Sequence, residues 1–166
     1  MYNKLGDFEY AAGNVDIAWE RYEKSLEVWK QLADKMPDYL KAICEICALY
    51  DQHGDLENAA GNIAFARKWY EKTLETWQWL VDHLPDAQLG LNVWYNKLGD
   101  LENSAGNTTA AREWFEKAVD NLQRFVELMP ENVQLQNELA AAQKKLAQAR
   151  KRPWHIKFIR KIFGRN

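Results

Sequence analysis

The sequence predicts an all-α fold, with three helical hairpins stacked as an α-solenoid and a capping helix at the C-terminal end. Three observations predict it. The pattern Tyr-x3-Gly-Asp-x-Glu-x2-Ala-Gly-Asn occurs at residues 2–14, 50–62 and 95–107, at offsets of 48 and 45 residues. Each copy leads into a second similar stretch, marked by Tyr22-Glu23-Lys24, Tyr70-Glu71-Lys72 and Phe115-Glu116-Lys117 and closed by Met36-Pro37, Leu84-Pro85 and Met129-Pro130. The eight glycines and four prolines fall at regular places in a chain that is 47% hydrophobic and 28% charged, so long stretches without breakers remain for helices.

Each element follows from local chemistry. Gly13, Gly61 and Gly106 suit the left-handed residue that ends a helix. Asn14, Asn62 and Asn107 come next and are expected to N-cap the second helix of each hairpin. Pro37, Pro85 and Pro130 disfavour helical geometry in the residue before them, and Asp38, Asp86 and Glu131 suit the positive end of the helix that follows. The expected helices are about 2–12, 15–36, 38–60, 63–84, 87–105, 108–129 and 131–151. Apolar residues recur at three or four, as in Ile17, Trp19, Tyr22, Leu26, Trp29 and Leu32 and again in Phe65, Trp69, Tyr70, Leu74, Trp77 and Leu80. Most of the eight tryptophans are therefore packing residues; Trp79, aligned with Gln31 and Arg124, is expected on the surface. Val133, Leu135, Leu139 and Leu146 give the last helix an apolar stripe.

This pattern resembles the tetratricopeptide repeat family. The matching residues are the opening Tyr2, Tyr50 and Tyr95, the first-helix Gly6, Gly54 and Gly99, and the turn glycines. The small Ala18, Ala66 and Ala111 and the aromatic Tyr22, Tyr70 and Phe115 complete the match. The resemblance covers about 2–130 and implies a right-handed α-solenoid. The units of 45–48 residues exceed the family's usual length of about 34 and look like the longer repeats of kinesin light chain and of bacterial members. The domains are then three repeats within 1–130 (about 2–37, 38–85 and 86–130), a capping helix at 131–152 and a tail at 153–166. The first repeat lacks the part that Tyr39–Leu49 supplies in the second, which fits a fragment of a longer array or an unusually short first helix.

The resemblance also implies a concave face lined by first helices, where partners lie. The residues carried over to it are Asn3, Lys4, Asp7 and Tyr10, then Asp51, Gln52, Asp55 and Asn58, then Asn96, Lys97, Asp100 and Asn103. Asparagines there can bond to the backbone of an extended segment, and the aspartates favour a basic or neutral protein or peptide partner. Some members grip the acidic C-terminus of chaperones with a Lys, Asn and Arg clamp. The corresponding Asn3, Asp7, Gln52, Val93 and Lys97 keep the needed charge only at Lys97, so that ligand is disfavoured.

Charge is uneven. The formal net charge is −2, yet residues 150–166 hold seven basic residues and no acid, leaving −9 on the first 149. In the tail, Trp154, Phe158, Ile159, Ile162 and Phe163 fall on one helical face, with His155, Lys157, Arg160, Lys161 and Arg165 over much of the rest. Such a segment suits an anionic membrane, the acidic body of the same or a neighbouring chain (a route to self-association), or no partner at all. Nucleic acid is disfavoured because the acidic body would oppose it.

No catalytic role is expected. The three histidines are scattered, and no phosphate-cradling glycine loop occurs. Cys44 and Cys47 form a lone Cys-x-x-Cys without the further ligands zinc needs, so they are read as buried structural thiols. No metal or other cofactor is expected. Two cysteines make no disulfide framework, and neither a signal peptide nor an apolar run of membrane length occurs, so the expectation is a cytoplasmic protein.

Overall fold

A computed structural model describes residues 2–33, 35 and 40–151. The described residues are helical and contain no strand. The helices are α1 (Tyr2–Ala11), α2 (Val15–Ala33), α3 (Leu40–Ala59), α4 (Ile63–His83), α5 (Leu91–Ser104), α6 (Thr108–Leu128) and α7 (Val133–Lys151), with a 3-10 segment at Pro85–Gly90. None is long and apolar enough to cross a membrane. The chain forms two compact units, Met1–Pro85 and Asp86–Asn166. In the first, α1 pairs with α2, α3 with α4, and α2 packs on α3; in the second, α5 pairs with α6, and α6 packs on α7.

The three hairpin turns share one geometry. Gly13, Gly61 and Gly106 have φ of 82°, 82° and 80°. The amide of Asn62 donates to the carbonyl of Glu57 at 2.8 Å and that of Gly61 to Asn58 at 3.0 Å, the paired bonds of a Schellman motif. The same two bonds recur at Asn14 and Gly13 and at Asn107 and Gly106.

Here the capping expectation needs correction. Each asparagine stands at the N-cap position, with its carbonyl accepting the first bond of the next helix (Ala18, Ala66 and Ala111 amides). Neither Asn62 nor Asn107, however, makes a side-chain cap. The side chain reaches back instead. Asn14 donates to the Glu9 carboxylate at 2.8 Å, Asn62 to Glu57 at 2.7 Å and Asn107 to Glu102 at 2.7 Å. Glu57 and Glu102 are almost wholly buried, so the amide is drawn to an acceptor removed from water.

Glycine also sets how closely the paired helices approach. A Cβ on Gly6 would lie 2.6 Å from the Tyr22 ring, and Gly54 and Gly99 meet Tyr70 and Phe115 in the same way. The fully buried Ala18, Ala66 and Ala111 lie one helical turn before those aromatics. In the first unit Trp69, fully buried, is the hub. Its ring lies 4.6 Å from Trp19, 5.1 Å from His53, 5.6 Å from Tyr50 and 5.9 Å from Tyr22. In the second unit Leu135, Leu139, Ala142, Leu146 and Ala149 bury one stripe of α7, against Ala118 and Leu122 of α6 at one end and Ala111 and Phe115 at the other.

Several expected core positions are not buried. Ile17, Phe65 and Val133 are exposed. Ala18 and Ala66 face the first helix, and the residue before each turns outward by the angle of one helical step. Trp79 is half-buried rather than exposed. It stacks on His83 at 3.9 Å, and Lys30 Nζ lies 5.2 Å from its ring centre. Two starts also differ: α5 begins at Leu91 and α7 at Val133, so neither Asp86 nor Glu131 lies in a first turn. Before α5, side chains occupy the local carbonyls: Asn121 donates to Gln88 and Asn92 to Leu89. Before α7, the Asn132 side chain accepts from the Leu135 amide at 3.1 Å, a true N-cap.

Candidate functional site

The residues carried over from the repeat pattern divide by unit. In the first unit Lys4, Asp7, Gln52, Asp55 and Asn58 are exposed, whereas Asn3 and Asp51 are half-buried. In the second, Asp100 is exposed, and Asn96, Lys97 and Asn103 are half-buried. Tyr10 does not join this surface; its hydroxyl donates to Glu57 at 3.0 Å and its ring lies tilted against His53, 3.9 Å between centres. The tail residues Trp154, Lys157, Phe158, Arg160, Lys161 and Ile162 lie outside the described residues.

Each aspartate of the Gly-Asp pair is held from a neighbouring helix. Asp7 accepts from the Tyr22 hydroxyl at 2.5 Å, and Asp55 from the Tyr70 hydroxyl at 2.5 Å. In the third repeat the ring across Gly99 is Phe115, which has no hydroxyl, and Asp100 is held instead by Lys145 of α7 at 2.6 Å. The repeats thus place an exposed carboxylate one residue after a helix-approach glycine and fix its rotamer. A fixed carboxylate loses less side-chain entropy on meeting a cationic group than a mobile one. Half-buried Lys97 has its Nζ 5.7 Å from the Trp94 ring centre, and Asn96 donates to the Asn92 carbonyl at 2.9 Å.

Behind Asp7 the bonds continue. His53 Nε2 lies 2.9 Å from the Tyr22 oxygen. The single Tyr22 hydrogen goes to Asp7, so Nε2 carries the hydrogen that His53 donates to Tyr22. His53 Nδ1 is buried with no hydrogen-bond partner. Burial lowers the His53 pKa, opposed by the carboxylates of Asp7 and Glu57. Burial is also the main cause that raises the Tyr22 and Tyr70 hydroxyls, reinforced by the aspartates they bond, and that pushes Tyr10 up to about 12.

Cys47 is buried and Cys44 half-buried; burial raises both thiols, which disfavours the thiolate needed for attack or metal binding. Among the described residues no group of three or more His, Cys, Asp or Glu is placed to hold a metal.

Sequence reasoning missed the Asp7–Tyr22–His53 chain and the Glu57–Asn62 clasp. The signal for the first was available: Gly-Asp is followed at +15 by Tyr22 and Tyr70, and by Phe115 in the copy where lysine substitutes. Searches against protein-family models and curated proteins found no match to this chain.

Proposed function

We propose that the chain is a tetratricopeptide-type right-handed solenoid that serves as a protein-interaction scaffold, binding a basic or neutral peptide or helical segment on its first helices. The observation that carries this reading is the recurrent exposed aspartate, Asp7 and Asp55 in the first unit and Asp100 in the second, each held by a hydroxyl or ammonium from another helix. The Tyr22 and Tyr70 hydroxyls give Asp7 and Asp55 a structural role, but the carboxylate recurs at Asp100, where the matching ring is Phe115 and the partner is a solvent-accessible lysine. A fixed acceptor in each hairpin suits lysine, arginine and backbone amides of a partner. Asn58 and Gln52 beside Asp55, and Asn103 beside Asp100, add neutral groups able to bond a peptide backbone.

The test is affinity capture with mass-spectrometric identification, run with the wild-type chain and with Asp55→Lys/Asp100→Lys. Wild type should retain a discrete set of partners with basic segments. The variant should lose them while its circular dichroism stays unchanged. Equal capture by both, or no partner for wild type, rejects the surface.

A further inference from the structure

The second unit presents an open cleft of about 700 Å³ between α6 and α7, lined by Glu116, Val119 and Asp120 on one side and Gln143, Ala147 and Arg150 on the other. The first unit shows what fills the corresponding place. Helix α3 is covered from two sides, by α2 and α4, and buries Ile43, Cys47, Tyr50, Gly54 and Glu57. The interval of 93 residues that separates Pro37 from Pro130 also separates Leu40 from Val133, the first residues of α3 and α7. At that interval these five positions become Gln136, Ala140, Gln143, Ala147 and Arg150, all exposed, whereas Ile46 and His53, also buried in α3, become Leu139 and Leu146, which pack against α6. Among the described residues α7 has the α2 equivalent against it, namely α6, and nothing in the place of α4.

The same interval identifies the occupant. Residues 63–72 of α4 read Ile-Ala-Phe-Ala-Arg-Lys-Trp-Tyr-Glu-Lys, and residues 156–165 read Ile-Lys-Phe-Ile-Arg-Lys-Ile-Phe-Gly-Arg. Without a gap, Ile156 matches Ile63, Phe158 matches Phe65, Arg160 matches Arg67 and Lys161 matches Lys68. Ile162 keeps the apolar character of the buried hub Trp69, Phe163 the aromatic ring of Tyr70, and Arg165 the charge of Lys72.

We propose that residues 152–166 dock into the α6–α7 cleft of their own chain as the second helix of a fourth hairpin. Charge supports the fit. Lys72 of α4 pairs with Glu23 of α2 at 2.6 Å, and the positions 93 residues on are Arg165 and Glu116, a carboxylate that Arg165 would share with Arg150, now 2.8 Å from it. Asp120 adds a second acid to the cleft that a basic segment would cover. Connection supports it as well. Lys151, the last residue of α7, itself lines the cleft, and a helix of ten residues from 156 spans about 15 Å, enough to cover Gln143 to Arg150. A tethered segment also meets its site at a high effective concentration. Two departures from the hairpin pattern loosen the contact. Ala147 stands in place of Gly54 and Ile159 in place of Ala66, larger residues at both close-approach positions. The polar character of Gln136 and Gln143 acts in the same direction.

Hydrogen–deuterium exchange on the full chain tests this. Amides of 156–165 should exchange at least tenfold slower than those of an isolated 152–166 peptide, independently of protein concentration. Ala147→Trp, which fills the cleft from an exposed position, and Glu116→Lys/Asp120→Lys should each remove that protection without loss of α7 helicity. Four outcomes overturn the proposal: peptide-like exchange in the intact chain, protection that survives both variants, protection that grows with concentration as a second copy binds, or protection that appears only with anionic vesicles.

Discussion

Tyr70 lies across Gly54 so closely that a Cβ on that glycine would stand 2.6 Å from ring atom Cδ1. The contact fixes the distance between α3 and α4 and also delivers the Tyr70 hydroxyl to Asp55, one residue further on. One glycine therefore serves both the packing of the hairpin and the posture of its surface carboxylate.

Gly54→Ala should destabilise the first unit. Alanine gains about 1 kcal/mol in helix propensity. Against this, the added methyl must displace a buried ring, and overpacking of that kind costs about 1–3 kcal/mol. Chemical denaturation should show a lower midpoint, with the transition slope unchanged. A midpoint equal to or above wild type would mean that the helices part without cost.

The Asn62 side chain offers a sharper choice. Were it an N-cap, aspartate would serve as well as asparagine. In the observed clasp the amide is a donor to buried Glu57. Asn62→Asp removes that donor and sets a second carboxylate beside the first. It should cost more than Asn62→Ala, itself expected to lose about 1–3 kcal/mol by stripping a partner from a buried acceptor. The gap between the two variants should narrow as the solution is acidified and the added carboxyl takes up a proton. Equal stability of Asn62→Asp and wild type would restore the N-cap.

Much of this fold was legible in the residues. The triple echo of Gly-Asp and Gly-Asn placed all the hairpin turns, and the left-handed glycines 13, 61 and 106 sit where the pattern requires them. What the pattern could not give was side-chain direction. Asn at the start of a helix carries the same letter whether it bonds forward to amides or backward to Glu57. His53 looked isolated because its partner, Tyr22, is remote in sequence and reaches it only through helix packing. The start of α5 was misplaced because buried Asn92 and Asn121 take up carbonyls by side-chain bonds that no period in the sequence reveals. At the surface, the sequence marked Asp7, Asp55 and Asp100, but the groups that hold them come from other helices.

His53 should make the first unit sensitive to mild acid. Burial lowers its folded-state pKa below the ordinary 6.5, so the unfolded chain binds the proton more readily. The contribution of neutral His53 is then fully present above pH 6.5 and is lost as pH falls from there through the lowered folded value. Protonation would also put a hydrogen on Nδ1, which has no acceptor. The buried register position of the third repeat, Leu98, shows what the fold accepts instead. His53→Leu should flatten the melting temperature against pH just below 6.5, while wild type slopes downward toward acid. Parallel curves for the two proteins would show that His53 titrates as freely folded as unfolded.

The third repeat can be made to resemble the first two. Phe115 covers Gly99 as Tyr70 covers Gly54, but it lacks the hydroxyl, and Lys145 holds Asp100 from an exposed position. An ion pair so open to water contributes about 0–1 kcal/mol, so Lys145→Ala should barely shift the denaturation midpoint. Phe115→Tyr would place a hydroxyl where Tyr22 and Tyr70 carry theirs, next to the aspartate. A hydrogen bond to a charged group is worth about 1.5–3 kcal/mol, less whatever the new oxygen costs to bury. Phe115→Tyr should therefore stabilise the second unit and leave Lys145→Ala without any effect in its presence. If the tyrosine destabilises instead, the three hairpins do not share the Asp-to-aromatic geometry their sequences suggest.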